Sequence, residues 1–271
     1  MKDLVLNKKT RAGLELYLRR PTHALMLCGE HGVGLNTIAT SLARQIAGAN
    51  VVHISPRLHG SQKTANINVD DIKNLRQIVR TRQGSALVIV IDEAEQMTPK
   101  TPETFLKILE EPNPNIHFIL TTHRPEKLPA TVLSRVQSIQ VLPAALDDCT
   151  DMISSEKIPA RRQQIEFLAA GRPAEITRLL ADDEYFRAQA RQFEAAKKFI
   201  SGKTYDRLAL VPTLKTRAEA INFVQALARL VVILSDKQPR ANDLAVISDV
   251  LDNLHQNGNI KAQMTYLAIS L

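Results

Sequence analysis

The sequence predicts an α/β protein: a doubly wound parallel sheet in the first half and helices alone in the second. Three observations carry this. Short apolar runs alternate with amphipathic helical stretches as far as Pro143. One run, Ala86-Leu87-Val88-Ile89-Val90-Ile91, is unbroken and rich in β-branched residues, as in strands buried on both faces. From about residue 183 onward the pattern is helical throughout.

Residues 24–28, Ala-Leu-Met-Leu-Cys, open the alternation and run straight into glycines. Helical periodicity follows over 37–47, then a short strand at 51–54. Residues 70–79 form an amphipathic helix whose Asp70 and Asp71 suit the positive end of a helix dipole. Further strands are expected at 86–91, 116–120 and 138–142, with ligands at their carboxyl ends.

Pro143-Ala144-Ala145 marks the expected exit from this core, placing a first domain at 1–143. A polar stretch, a helical segment at 160–170 and the residues 171–180 that follow it make up a smaller unit at 144–182. The third, 183–271, holds helices over 185–200, 216–235, 241–255 and 260–271, with breaks at Pro239 and Asn257-Gly258. Within it, residues 230–234 are apolar nearly all round, which calls for burial on several sides. No internal repeat or low-complexity tract interrupts the chain.

The 271 residues suffice for more than one core, and 44% are hydrophobic, as in ordinary globular proteins. No apolar run approaches the ~20 residues that span a bilayer. Residues 1–9 carry no apolar stretch leading to a cleavage site, so a cytoplasmic protein is expected. The two cysteines, Cys28 and Cys149, lack partners at ligand spacing, and Cys28 reads as a small core residue. A net charge of +7 suits polyanionic partners, although a lysine-solvated surface gives the same number. Aromatics are only 4% with no tryptophan, so base-stacking platforms are poorly supplied.

Between the first strand and first helix stands Gly29-Glu30-His31-Gly32-Val33-Gly34-Leu35-Asn36-Thr37. A phosphate loop reads G-x-x-x-x-G-K-[ST], and Gly29 and Gly34 keep that spacing in a strand–loop–helix context. The lysine position is Leu35 and the magnesium-binding hydroxyl position is Asn36. Thr37 carries a hydroxyl one place later, roughly 100° away around a helix. Without the lysine, the main fixed positive charge on a transferring phosphoryl group is missing. Two readings remain: a backbone nest that binds nucleotide without turnover, or a glycine turn that holds nothing. The second is preferred. The apolar strand at 86–91 ends in Asp92-Glu93, where P-loop ATPases place a metal-holding acid and a water-polarising glutamate. A pair of solvent-facing acids starting a helix would look the same.

Several segments resemble bacterial DNA polymerase III clamp-loader subunits, a group of AAA+ proteins. Residues 21–29, Pro-Thr-His-Ala-Leu-Met-Leu-Cys-Gly, are similar to that family's opening strand. Leu106-Lys107-Ile108-Leu109-Glu110-Glu111-Pro112 is similar to its leucine–lysine–x–leucine–glutamate–glutamate–proline segment. The strand ending in Thr121-Thr122 resembles the one that carries the first sensor residue. Ser134-Arg135-Val136 resembles the serine–arginine–cysteine motif, with valine for cysteine. The resemblance is dense over 20–143 and looser afterwards.

The resemblance implies a P-loop AAA+ core, a small helical lid and an all-helical collar that holds an oligomer together. It implies that Arg135 is a finger reaching a neighbouring subunit's nucleotide. It also places Ala174 where active members carry a second sensor arginine, with Arg172 and Arg178 nearby. The defective loop sorts the chain with delta-prime-type members, which act as a stator without hydrolysing ATP. No cofactor of its own is then expected, with ATP and Mg²⁺ held by partner subunits. Those partners would be the other loader subunits in a hetero-oligomeric ring, which meets the sliding clamp and primed DNA. Two alternatives stay open: an active gamma- or tau-like ATPase with an atypical loop, and a DNA-binding protein on a silent ATPase fold.

Overall fold

The structure, a computed structural model, describes residues 3–59, 64–81, 84–110, 113–235 and 241–271. Glu111, Pro112, Pro239 and the first two residues of the N-terminal segment lie outside them. Two compact units are present, Met1–Arg178 and Leu179–Leu271.

The first unit runs α1 (Lys8–Arg19), β1 (Ala24–Gly29), α2 (Leu35–Ala47), β2 (Val51–Ile54), α3 (Val69–Thr81), β3 (Leu87–Ile91), α4 (Thr101–Leu109), β4 (Ile116–Thr122), α5 (Ala130–Leu133) and β5 (Gln137–Val141). It continues with α6 (Leu146–Ile153), α7 (Pro159–Ala169) and α8 (Pro173–Ala181), the division between the units falling inside α8. All strand pairs are parallel, in the order β2-β3-β4-β1-β5. The chain leaves β1 for the far edge and returns through β3 and β4 before crossing to β5. This makes β1 the switch point, where loops at the carboxyl ends open a crevice.

Strand alternation divides the core into two layers. Met26, Ile89, Ile91, Phe118 and Leu120 pack with residues of α3, α4 and α5. Leu25, Leu27, Val88, Val90 and Ile119 pack on the other face with Leu14 and Tyr17 of α1 and with Ile38 and Leu42 of α2. Both faces are therefore covered, which is why β3 is an unbroken apolar run. Phe105 meets Phe118 edge to face at 5.4 Å.

The expected helices and strands are present, with ends shifted by a residue or two. Helices α1, α4, α5, α6 and α10 were not expected from the sequence. In α1 the buried positions are only Thr10, Leu14 and Tyr17 among charged neighbours. Cys28 and Cys149 are both buried free thiols.

The second unit holds α9 (Asp183–Ser201), α10 (Thr204–Leu210), α11 (Arg217–Ser235), α12 (Ala241–His255) and α13 (Ile260–Ser270). Its core centres on Phe199, Phe223, Val224, Leu227, Val231 and Leu254. The run at 230–234 is not enclosed all round: Leu230 and Val231 are buried, but Val232 is 54% exposed. An α-helix turns by about 100° per residue, so one layer of neighbours covers only part of a five-residue run. Among the described residues no helix is long and apolar enough to cross a membrane.

Candidate functional site

The glycine loop leaves β1 at the switch point, and its shape follows from its glycines. Gly32 and Gly34 both have φ near +90°, a region that side chains rarely adopt. A Cβ on Gly32 would also come within 2.9 Å of Glu175 Cβ. Gly34 is the residue before α2, and the Ile38 N–H bonds back to its carbonyl at 3.0 Å. Leu35, at the lysine position, points into the core with Val33, each only 3% exposed.

Asn36, next along α2, reaches the acidic end of β3. Its Nδ2 donates to Asp92 Oδ2 at 2.6 Å, and its Oδ1 accepts from Thr40 Oγ1 at 3.2 Å. Both ends of the amide agree on that orientation, since a flip would set oxygen against carboxylate. From β4, the Thr121 hydroxyl donates to Asp92 Oδ1 at 2.5 Å and accepts from the Glu93 N–H at 3.0 Å. The Asp92 carboxylate thus has a donor on each oxygen. A divalent cation takes oxygen ligands, and here an amide nitrogen donates instead. Asn36 thus turns a donor toward Asp92 at the position where a phosphate loop places a hydroxyl for Mg²⁺. Among the described residues no group of three or more acids, histidines or cysteines could hold a metal.

Glu93 sits in the left-handed region, with φ 49°. Burial, then the neighbouring Asp92 and Glu95, push its carboxyl above the usual range. Thr122 points the other way on the strand, its hydroxyl accepting from the Arg124 N–H at 3.1 Å.

Residues 173–178 close over the loop. The backbone N–H groups of Ala174 and Glu175, in the first turn of α8, donate to Gly32 O at 2.9 and 3.1 Å. Ala174 therefore lies above the glycine loop and presents only a methyl group to it. Nearby, Leu4, Leu6, Val33, Gly34, Ile38 and Ala174 line a small, mostly apolar cleft.

Arg172 belongs to a different role from a sensor. It is 1% exposed, and its guanidinium donates to the carbonyls of Leu168 and Ala169 at 2.8 Å each and of His31 at 3.0 Å. It caps the negative end of α7 and ties it to the glycine loop. The sequence signal was faint: an arginine between Gly171, with φ +75°, and the N1 proline of α8.

A second contact missed in the sequence joins His31 of the loop to His123 after β4, with ring centroids 3.7 Å apart. His123 Nδ1 bonds Gly29 O at 2.8 Å, and its N–H donates to Glu95 Oε1 at 3.0 Å. Burial and then His123 push the His31 ring down from 6.5 to about 4.

Arg135 lies outside this cluster, after α5 and before the edge strand β5. Its side chain is 39% exposed and pairs with Glu110 at 2.9 Å.

The histidine and the amide each carry a measurable consequence. Between pH 6.5 and 4 the unfolded chain binds a proton at His31 that the folded chain refuses. That contribution to stability is complete above pH 6.5 and is lost as pH falls towards 4. Urea unfolding at pH 7 and pH 4.5 should show a smaller drop for His31→Gln than for the wild type. Removing the amide from Asp92 should open it to cations. Asn36→Ser is expected to bind Mn²⁺ more tightly than the wild type, as read by electron paramagnetic resonance.

The likenesses to known proteins agree with this layout. Residues 14–145 match the family described as DNA polymerase III, delta subunit. DNA polymerase III subunit gamma of Buchnera aphidicola is 30% identical over 158 residues, 52% of this chain and 43% of that protein. Subunit tau of Salmonella typhimurium is 24% identical over 88% of this chain and 35% of its own length. Subunit delta' of Bacillus subtilis is 21% identical over 67% of this chain and 64% of its own. The chain thus spans between about a third and two-thirds of the length of these relatives. A DNA polymerase III gamma-subunit-related protein from Thermotoga maritima shares the fold, with TM-score 0.50 and 17% identity over 97% of this chain and 98% of that one. Over residues 14–145, just under half of its length, the chain is thus similar to the family described as DNA polymerase III, delta subunit, and its α/β fold is shared with a DNA polymerase III gamma-subunit-related protein.

Proposed function

We propose that this chain is a delta-prime-like, non-hydrolysing subunit of a sliding-clamp loader, acting as a stator and lending Arg135 to a neighbour's ATP. The observation that carries the reading is the bond from Asn36 to Asp92. An amide stands where a metal-dependent ATPase needs a cation, and the lysine position is a buried leucine. The loop is also braced by protein groups, through Arg172 and the first turn of α8. Such a site suits a fixed part better than one that opens and closes with each ATP.

In this reading residues 1–143 form the AAA+ core, 144–182 the lid and 183–271 the collar of the ring. The partners are the hydrolysing subunits, which bring ATP and Mg²⁺. Through the ring they include the sliding clamp and primed DNA. The setting is the cytoplasm. Arg135 is the exposed cation offered across a subunit boundary, and a finger of that kind is worth ~10³–10⁵ in rate at the site it completes.

The test is a ring reconstituted with gamma- or tau-type partners. Arg135→Ala should leave assembly unchanged by gel filtration and sharply lower DNA-stimulated ATP hydrolysis. Undiminished hydrolysis would overturn the finger role.

A further inference from the structure

Arg135 is held before any neighbour arrives. Its Nη1 donates to Thr131 O at 3.0 Å and to Ser134 Oγ at 3.4 Å, and its Nη2 donates to Glu110 Oε1 at 2.9 Å. A guanidinium has five N–H donors in a planar fork. These bonds use three of them, among the described residues. Among the described residues Nε has no partner, and the adjacent Nη2 carries a second N–H besides the one given to Glu110. A pair of neighbouring N–H groups is what a phosphate accepts bidentately.

The three acceptors come from two places in the chain. Thr131 and Ser134 belong to the arginine's own turn around α5, whereas Glu110 is the cap residue that ends α4. Local bonds alone leave a long side chain free to swing about its outer torsions. Glu110 supplies the one distant anchor. Both side chains are substantially exposed, 39% for Arg135 and 51% for Glu110, so the pair does little for stability. Its effect is on orientation.

We propose that Glu110 is a positioning residue that fixes the Arg135 guanidinium with its Nε–Nη2 edge open to a phosphate of a neighbouring subunit. This rests on the finger reading given above. Glu110 touches no substrate, and acts by removing the rotamer freedom that Arg135 would otherwise lose on reaching the phosphate. Loss of such an anchor costs about three- to tenfold in turnover, the scale of immobilising one flexible side chain. A glutamine keeps the accepting Oε1 and so keeps most of the effect.

The experiment compares wild type, Glu110→Ala, Glu110→Gln and Arg135→Ala in the reconstituted ring, with kcat and KM for ATP measured separately. Glu110→Ala is expected to lower kcat about three- to tenfold with little change in KM or in the chain's melting temperature. Glu110→Gln should return kcat to within about twofold of wild type, and adding Glu110→Ala to Arg135→Ala should cost nothing further. If Arg135→Ala lowers kcat but Glu110→Ala does not, the positioning role is wrong while the finger stands. If Arg135→Ala is also without effect, the finger reading falls and the positioning role with it.

Discussion

A carboxylate at the end of a strand buried on both faces must find donors close by, and Asp92 finds them on two other elements. The amide of Asn36 comes from α2 and the hydroxyl of Thr121 from β4. One charged group thus ties together the starts and ends of three elements at the switch point of the sheet. Each oxygen that accepts one of these bonds has one lone pair fewer to offer a divalent cation. The substitution of asparagine for the usual hydroxyl residue therefore changes what holds the site together.

The second brace works on the loop itself. Gly32 offers its carbonyl to the first turn of α8, and a larger residue there would meet Glu175. Arg172 fastens the His31 carbonyl to the end of α7 from within the protein interior. These joints are internal, and buried charge-assisted bonds are costly to leave half made.

Much of the fold was legible because the sheet is doubly covered. Burial on both faces turns strands into plain apolar runs, and β3 could hardly read as anything else. The glycine loop and Asp92 were visible for the same kind of reason, each following an obvious strand, whereas Arg135 stood out only through the resemblance of Ser134-Arg135-Val136 to a family motif. What stayed hidden depends on distance along the chain. Asn36 and Asp92 are 56 residues apart, and Arg172 and His31 are 141 apart. No local pattern announces such pairings. The His31–His123 stack and the anchoring of Arg135 by Glu110 are of the same type. Helix α1 was missed because its buried stripe is only three residues wide amid charges.

The proposed stator role turns on whether the chain's own phosphate loop takes up nucleotide. The most direct measurement is titration calorimetry of the isolated chain with ATP in the presence of Mg²⁺. No binding at physiological ATP concentration is expected, from a loop whose lysine is a buried leucine and whose acid is already paired. Tight binding that disappears when Mg²⁺ is withheld would contradict it, and would place this chain among the working ATPases of its family.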